Sequence, residues 1–278
     1  MTTFLDPKVD MVFKKLFATN THTDVLMSFL NSVLGREEGE KIAQVDLNDP
    51  YNNSETDSLK WSIVDVRCTD QRGRQYIIEM QFSRDDDYAA RSQYYASLAL
   101  SRQLASSEQY AKLVPVIFIS ILNFNLFKTK DCLSKHLILD AKTYAHELAH
   151  LEFYFIELNK FNKEISDLAT IFDKWVYFFK YAQTFHHVPS EFKESAVEKA
   201  FEIVAQARWK LIDLELYDRQ VDAVRCQKSQ LASAIREGME KKQLEIARNF
   251  LDILDVETVA KKTGLTVEQV EALKKHNS

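Results

Sequence analysis

The feature that most constrains the fold of this 278-residue chain is a pair of strand-like segments joined by a short turn. Residues 61–69 and 75–82 are rich in β-forming residues, and Gly73 marks the turn of a hairpin between them. Asp65 and Glu79 each lie between two apolar neighbours in these segments. A carboxylate in such a place costs free energy unless it binds a metal ion or a polar partner. The hairpin therefore predicts a site built on two acidic residues.

The spacing within the hairpin brings these residues together. Counting outward from the turn places Asp65 roughly opposite Glu79. Glu79 and Gln81 are two residues apart, so both side chains point to the same face of their strand. Converging carboxylates are what a hard divalent cation requires, and the Met80 carbonyl is a further candidate ligand. Such a site suits phosphodiester hydrolysis, because the metal ion neutralises a phosphate oxygen and lowers the pKa of a bound water.

The same residues also have a purely structural interpretation. Asp65 and Glu79 would then form ion pairs with buried or half-buried arginines, for which Arg67 and Arg91 are the candidates. An Asp followed later by Glu-x-Gln is a weak signal. By itself it leaves the metal site and the ion pairs as open alternatives.

Hydrophobic periodicity divides the chain into a mixed first part and a helical second part. Before about residue 165 the order is helix, three strands, helix, strand, and after it the pattern is helical. The expected helices cover residues 8–34 (as two stretches, the second starting at Thr23 or Asp24 and ending at Gly35), 85–107, 168–181, 192–209 and 227–251. The expected strands cover residues 42–48, 61–69, 75–82, 114–122, 137–139 and 151–158, with a loop over 49–60.

Composition argues against several classes of protein. The N-terminus lacks the basic start and apolar stretch of a signal peptide, and no run approaches the length of a membrane span. Three widely spaced cysteines argue against a disulfide framework or a zinc-ribbon site and fit a reducing, cytoplasmic setting. The net charge of −5 is a mild argument against nucleic-acid binding, although a metal ion brings positive charge to a carboxylate site.

Six segments between about residues 4 and 165 follow the order and spacing of a known family. They are residues 10–17, 64–66 and 78–81, Arg91 with Tyr94 and Tyr95, Tyr110 with residues 113–116, and residues 156–161. Together they resemble the recombination-promoting nuclease family of PD-(D/E)xK transposases. The order of helix, three strands, helix and strand is also that of the family's core.

The resemblance implies an α/β fold with a restriction-endonuclease-like core and an α-helical C-terminal region. It also implies a DNA endonuclease that depends on Mg²⁺ or Mn²⁺ and is linked to DNA recombination or transposition. Asp65 and Glu79 match the metal-binding acids, and Gln81 stands where the wider superfamily has a lysine. Glutamine can orient a water but carries no charge. The rival hypothesis is a non-catalytic DNA-binding or assembly protein that has kept the nuclease fold.

Four further residues are candidates for supporting roles. Lys14 of the first helix is a candidate source of the charge that Gln81 lacks. Asp10 resembles the acid that this helix brings to the site, but it also fits a surface acid near a helix N-terminus. Arg91 and Tyr95 are four residues apart and share a helix face, where they are candidates for phosphate contact. In the alternative interpretation Tyr95 packs and Arg91 pairs with an acid.

Residues 146–150 match the HExxH pattern of zinc proteases. That pattern requires the middle of a long helix. Here a strand-like segment follows at once, so we expect no zinc at His146 and His150.

The C-terminus resembles a helix-turn-helix. A short helix over residues 256–262 is followed by a turn at Gly264 and a capping box over residues 266–269. Glu268 and Glu271 give the second helix an awkward charge for entering a DNA groove. We therefore favour a packing or assembly role for this tail.

The expected organisation has three parts: a nuclease core over residues 1–164, a helical region over 165–252 and the helix-turn-helix-like tail over 253–278. DNA is the expected partner and a membrane is not. The C-terminal helices are candidates for self-association into a homo-oligomer.

Overall fold

The computed structural model describes residues 4–48, 51–52, 62–105, 107–193 and 195–275. The predicted loop over residues 49–60 lies outside the described residues except at 51–52. The chain forms two compact units, residues 1–220 and 221–278. The finer division into three parts stays a prediction.

A mixed six-stranded sheet runs through the first unit. The strands of the chain are β1 Val45–Leu47, β2 Tyr51–Asn52, β3 Ser62–Ile63, β4 Val66–Asp70, β5 Gln75–Gln81, β6 Val116–Leu122, β7 Leu133–Leu137 and β8 Leu151–Glu157. The order in the sheet is β1-β4-β5-β6-β8-β7. β5, β6 and β8 are parallel neighbours, and the remaining pairs of this sheet are antiparallel. β2 and β3 pair with each other in a separate ribbon.

Helices precede, connect and follow the strands along the described part of the chain. They are α1 Asp10–Phe17, α2 Thr23–Leu34, α3 Tyr88–Ser101, α4 Ile171–Tyr181, α5 Ala196–Val204, α6 Leu211–Leu251, α7 Val256–Thr263 and α8 Val267–Lys275. α3 provides the crossover that the parallel pair β5 and β6 needs. Small residues of α3, including Ala96 and Ala99, pack on Ile77, Val116 and Phe118 of these strands.

A cluster of aromatic rings joins the helices of the first unit. Phe17 of α1 stacks on Phe29 of α2 with ring centroids 5.1 Å apart. Trp175 and Phe179 of α4 pack against both rings. This cluster, which is fully buried, fixes α1 relative to α2 and α4. It therefore fixes the position of the helix that carries Asp10 and Lys14.

The predicted order of helix, three strands, helix and strand is confirmed. α1 and α2 precede the antiparallel strands β1, β4 and β5, and α3 and β6 follow them. Gly73 makes the hairpin turn with a φ of 78°, and Gly35 ends α2 with a φ of 58°. Both angles lie in the left-handed region that glycine adopts without steric cost.

The predicted strand over residues 61–69 is wrong in one respect, because it is broken before β4. Residues 64 and 65 belong to neither β3 nor β4, and regular pairing with β5 begins at Val66↔Ile78. The Met80 N–H donates to Asp65 Oδ2 at 2.8 Å. A side-chain oxygen thus substitutes for the backbone carbonyl that a continuous strand would offer at this position.

The predicted helix over residues 85–107 is shorter at both ends. Before it, Asp85 closes a turn, since its carboxylate accepts the Asp87 N–H at 3.0 Å. After it, the Gln103 side chain makes two hydrogen bonds with the Val114 backbone, of 2.8 and 3.0 Å. These bonds turn the chain back toward β6, so α3 ends at Ser101.

The predicted strand over residues 137–139 is misplaced, because the observed strand runs from Leu133 to Leu137 and shares only Leu137 with the prediction. β7 is an edge strand that pairs only with β8. Three of its five residues, Ser134, Lys135 and His136, are polar, and none of the five is fully buried. Hydrophobicity alone therefore missed it.

The later helices keep their predicted type but change their ends. α4 begins three residues later than expected because Thr170 and Asp173 form a capping box there. α5 is confined to residues 196–204, after a 3₁₀ turn that contains Phe192. α6 begins at Leu211 and not at 227, since neither glycine nor proline interrupts the stretch between them.

The second unit contains the predicted helix-turn-helix-like arrangement. Gly264 separates α7 from α8 with a φ of 75°. Thr266 and Gln269 form both hydrogen bonds of the capping box, at 2.9 and 3.2 Å. The unit has a small core of its own, composed of Ala247, Val259, Ala260, Val270 and Leu273. Its role in packing or self-association stays a prediction.

Candidate active site

The two acidic residues of the hairpin come together where the pairing of β4 and β5 ends. Val66 pairs with Ile78, so the next step outward brings Asp65 opposite Glu79. Glu79 is only 3% exposed, and Asp65 is half-buried. The predicted juxtaposition of the two carboxylates is therefore present.

Protein donors hold one oxygen of each carboxylate. Asp65 Oδ2 accepts the Met80 N–H. Glu79 Oε2 accepts the Tyr88 hydroxyl at 3.1 Å and the Gln81 side-chain amide at 3.2 Å. Among the described residues, no donor bonds Asp65 Oδ1 or Glu79 Oε1. As far as the described residues show, each carboxylate thus keeps one oxygen for a further ligand.

Electrostatics at this site favour the uncharged acids. Burial raises the pKa of Glu79 to about 7, and the negative charge of Asp65 adds to the shift. Burial likewise raises the pKa of Asp65, where the Met80 N–H opposes the shift and the charge of Asp10 adds to it. Two buried carboxylates that repel each other are relieved by a cation between them.

The donor set fits a divalent metal ion with oxygen ligands. Asp65 and Glu79 are hard anionic donors with one oxygen each available. Within the described residues, no group of three or more His, Cys, Asp or Glu side chains is arranged to hold a metal ion. The site therefore supplies two carboxylates, and backbone or water oxygens would complete the coordination.

Gln81 connects Glu79 to Arg91. Its amide nitrogen donates to Glu79, and its amide oxygen accepts from the Arg91 guanidinium at 2.8 Å. Arg91 also forms an ion pair with Asp85 at 2.7 Å and lies over the Tyr88 ring, 4.8 Å from its centroid. A cation from α3 thus stands beside Gln81, the residue predicted to take the place of the superfamily's lysine.

The arginines proposed as direct partners of the two acids have other contacts. Arg91 binds Asp85 and Gln81, and it reaches Glu79 through Gln81. Arg67 donates to Gln75 at 3.0 Å.

The first helix also contributes to the site. Asp10 and Lys14 form an ion pair at 2.8 Å on the partly exposed face of α1. The charge of Asp10 raises the pKa of Asp65 and that of Lys14 lowers it. Both residues therefore lie within electrostatic reach of Asp65, and their chemical roles stay predictions.

Tyr95 lies one helical turn beyond Arg91 on α3. It is half-buried and packs against the cluster that contains Val64 and Ile77. Burial raises the pKa of its hydroxyl, and the charge of Glu79 adds to the shift. Tyr95 thus combines a packing role with proximity to the site.

Sequence analysis missed two residues of the site, Tyr88 and Ser120. Both are fully buried, and their hydroxyl oxygens lie 2.8 Å apart. Ser120 pairs with Glu79 across β5 and β6. The available signals were a single serine within an apolar strand, and the position of Tyr88 on the helix face of Arg91 and Tyr95.

The HExxH motif does not have the geometry of a zinc protease. Residues 146–148 belong to no helix or strand, and residues 149–150 form a turn that leads directly into β8. His146 and His150 therefore do not lie on one face of a helix. The absence of zinc stays a prediction.

Comparisons with known proteins place the site in context. A family model described as PD-(D/E)XK nuclease family transposase matches residues 7–234. That range contains the whole sheet, the candidate site and the first part of α6. No curated protein and no solved structure matched the chain. Among the described residues, no helix combines the length and the apolar character needed to cross a membrane.

Proposed function

The chain belongs to the PD-(D/E)XK nuclease family of transposases, so its role lies in nuclease chemistry and transposition, and we propose that it is a divalent-metal-dependent DNA endonuclease. The observation that carries this proposal is the pair formed by Asp65 and Glu79. Each carboxylate has one oxygen bonded to the protein and one oxygen without a donor among the described residues.

Asp65 and Glu79 would hold the metal ion, Mg²⁺ or Mn²⁺. When bound, such an ion neutralises a phosphate oxygen and lowers the pKa of a coordinated water. The hydrogen bonds from Met80, Gln81 and Tyr88 fix the orientation of the carboxylates before the substrate arrives. Preorganised ligands avoid the free-energy cost of ordering them during the reaction.

Gln81 and Arg91 would act together in place of the superfamily's lysine. The Gln81 amide has a second N–H, which can donate to a water or to a phosphate oxygen. Arg91, held by Gln81 and Asp85, supplies the positive charge that glutamine lacks. Its guanidinium is permanently charged and suits contact with a phosphate. This makes Arg91 a stronger candidate than Lys14, because Arg91 contacts Gln81 directly, whereas the ammonium group of Lys14 pairs with Asp10.

Incubation of the purified full-length protein with supercoiled plasmid tests the proposal. We expect nicking or linearisation with Mg²⁺ or Mn²⁺ and none with EDTA. Glu79→Gln should lack this activity. Glu152→Gln is a matched control, because Glu152 lies on β8 of the same sheet and pairs with Lys135 and Tyr154. Metal-dependent binding of DNA without cleavage would favour the non-catalytic rival.

A further inference from the structure

The buried hydroxyl groups of Tyr88 and Ser120 form a connected pair beneath Glu79. Tyr88 lies at the start of α3, and its oxygen is 3.1 Å from Glu79 Oε2 and 2.8 Å from Ser120 Oγ. The rings of Phe124 and Phe155 contact the Tyr88 ring edge-on, each with a centroid distance of 6.5 Å. Packing on two sides therefore fixes the ring, and with it the position of the hydroxyl.

The direction of these hydrogen bonds follows from the charge of the carboxylate. In the ionised form that binds a cation, the Glu79 carboxylate only accepts hydrogen bonds, so the Tyr88 O–H donates to it. The Tyr88 oxygen can then accept the proton of Ser120. A donor chain thus runs from Ser120 through Tyr88 to one oxygen of Glu79.

Both side-chain donors to Glu79 meet on the same oxygen. Gln81 and Tyr88 each bond Oε2, and no described residue donates to Oε1. We propose that Tyr88, supported by Ser120, is a positioning residue that holds Glu79 Oε2 and so presents Oε1 to the divalent cation. This inference rests on the metal site of the proposed function and adds a residue that orients its ligand.

Removal of the tyrosine hydroxyl should weaken metal binding. Without it, Oε2 keeps only the longer bond from Gln81, and the carboxylate can rotate away from the orientation that suits the cation. Partners that orient a metal ligand change metal affinity by about 10- to 100-fold when they are removed. We expect a loss of about 10-fold in Mn²⁺ affinity for Tyr88→Phe, near the lower end of that range.

The experiment measures Mn²⁺ binding to the full-length protein by electron paramagnetic resonance, together with melting temperature. Tyr76→Phe is the matched control. Tyr76 is also fully buried, and its hydroxyl donates to the buried Asp70 carboxylate at 2.9 Å, at the other end of the hairpin. Both variants should lower the melting temperature, but only Tyr88→Phe should raise the Kd for Mn²⁺.

Ser120→Ala tests the second step of the chain. We expect a smaller rise in Kd than for Tyr88→Phe. The double variant should bind Mn²⁺ no more weakly than Tyr88→Phe alone, because Ser120 acts through Tyr88.

The outcomes separate this inference from the proposed function. Wild-type binding of Mn²⁺ with an unchanged Kd in Tyr88→Phe overturns the positioning role and leaves the metal site standing. Absence of Mn²⁺ binding in the wild type overturns both. If Tyr88→Phe does not fold, the Kd for Mn²⁺ of Ser120→Ala provides the test. An unchanged Kd in Ser120→Ala then overturns the positioning role.

Discussion

The two ends of the hairpin formed by β4 and β5 each bury a carboxylate, and the protein surrounds them differently. At the turn, Asp70 is 4% exposed and pairs with the Arg74 guanidinium at 2.7 Å. It also accepts the Tyr76 hydroxyl and the backbone N–H groups of Arg72 and Arg74. At the open end, Glu79 is equally buried, but its donors among the described residues are both neutral groups, those of Gln81 and Tyr88.

This difference distinguishes a structural acid from a candidate functional one. A buried carboxylate stabilises a fold when a cation and hydrogen bonds compensate for lost hydration. Asp70 has both. Glu157, on β8, likewise pairs with Lys160 and accepts two backbone N–H groups. Glu79 is held in place without direct contact with a cation, and the opposing Asp65 adds to its charge imbalance.

Loss of either site acid should have the largest effect on activity. We expect Asp65→Ala and Glu79→Ala, or Glu79→Gln, to reduce DNA cleavage by about 10³-fold or more, since a catalytic metal ion contributes several kcal/mol. Single-turnover cleavage with Mg²⁺ provides the measurement, and circular dichroism checks the fold. Either residue would be removed from the mechanism if its folded variant still cleaved DNA at the wild-type rate.

Loss of Asp70, the acid at the turn of the hairpin, should lower stability and leave activity unchanged. We expect Asp70→Asn to lower the free energy of unfolding by about 4 kcal/mol, because it leaves the Arg74 guanidinium without its buried partner. The Kd for Mn²⁺ and the cleavage rate of the folded protein should not change. Urea denaturation and Mn²⁺ titration measure the two quantities. Weaker Mn²⁺ binding at unchanged stability would contradict the distinction between the two ends.

The pH dependence of stability should identify Glu79 as an acid without a counterion. Burial raises its pKa from 4.5 to about 7, so the folded protein binds this proton more tightly than the unfolded chain does. The stability that this proton contributes is fully present below pH 4.5, the pKa of Glu79 in the unfolded chain. It is lost as pH rises through about 7, the pKa of Glu79 in the folded protein. The loss is on the order of 3 kcal/mol.

Urea unfolding in EDTA at pH 4.5 and pH 8 measures this effect. Glu79→Gln should flatten the pH dependence, whereas Glu152→Gln should retain it. An identical dependence in wild type and Glu79→Gln would mean that the folded protein does not perturb Glu79.

Gln81 should show the smallest of these effects. We expect Gln81→Ala to slow cleavage by about 10-fold, with less effect on metal binding than the acid variants, since one positioning hydrogen bond is worth about 1–2 kcal/mol. Gln81→Lys should keep or raise activity, because a cation there stabilises charge in the transition state. An unchanged single-turnover rate in Gln81→Ala, with a lower melting temperature, would reduce Gln81 to a packing role.

Much of this site was predictable because its main signals are local. Gly73 and the flanking β-forming residues determine a hairpin, and the period of two residues then determines which side chains face each other. The positions of Asp65, Glu79 and Gln81 follow from that pattern. The family match over residues 7–234 agrees with the fold expected from the resemblance.

The parts that sequence analysis missed depend on contacts between distant residues. Tyr88 reaches Ser120 across 32 positions of sequence, through the packing of α3 on the sheet. Arg91 reaches Gln81 in the same way, across 10 positions. The break before β4 also depends on one side-chain hydrogen bond, from Met80 to Asp65, which no hydrophobic pattern records.

The parallel pairing of β5 and β6 has a consequence during synthesis. Glu79 and Ser120 face each other only after the chain has passed through α3 and the crossover has closed. A nascent chain that has left the ribosome as far as residue 110 carries both acids, Gln81 and Arg91 but no β6 to anchor them. Contacts separated by a crossover form late, because loop closure comes before any gain from pairing. The hydrogen-bonded arrangement of Glu79, Tyr88 and Ser120 is therefore complete only after β6 has joined the sheet.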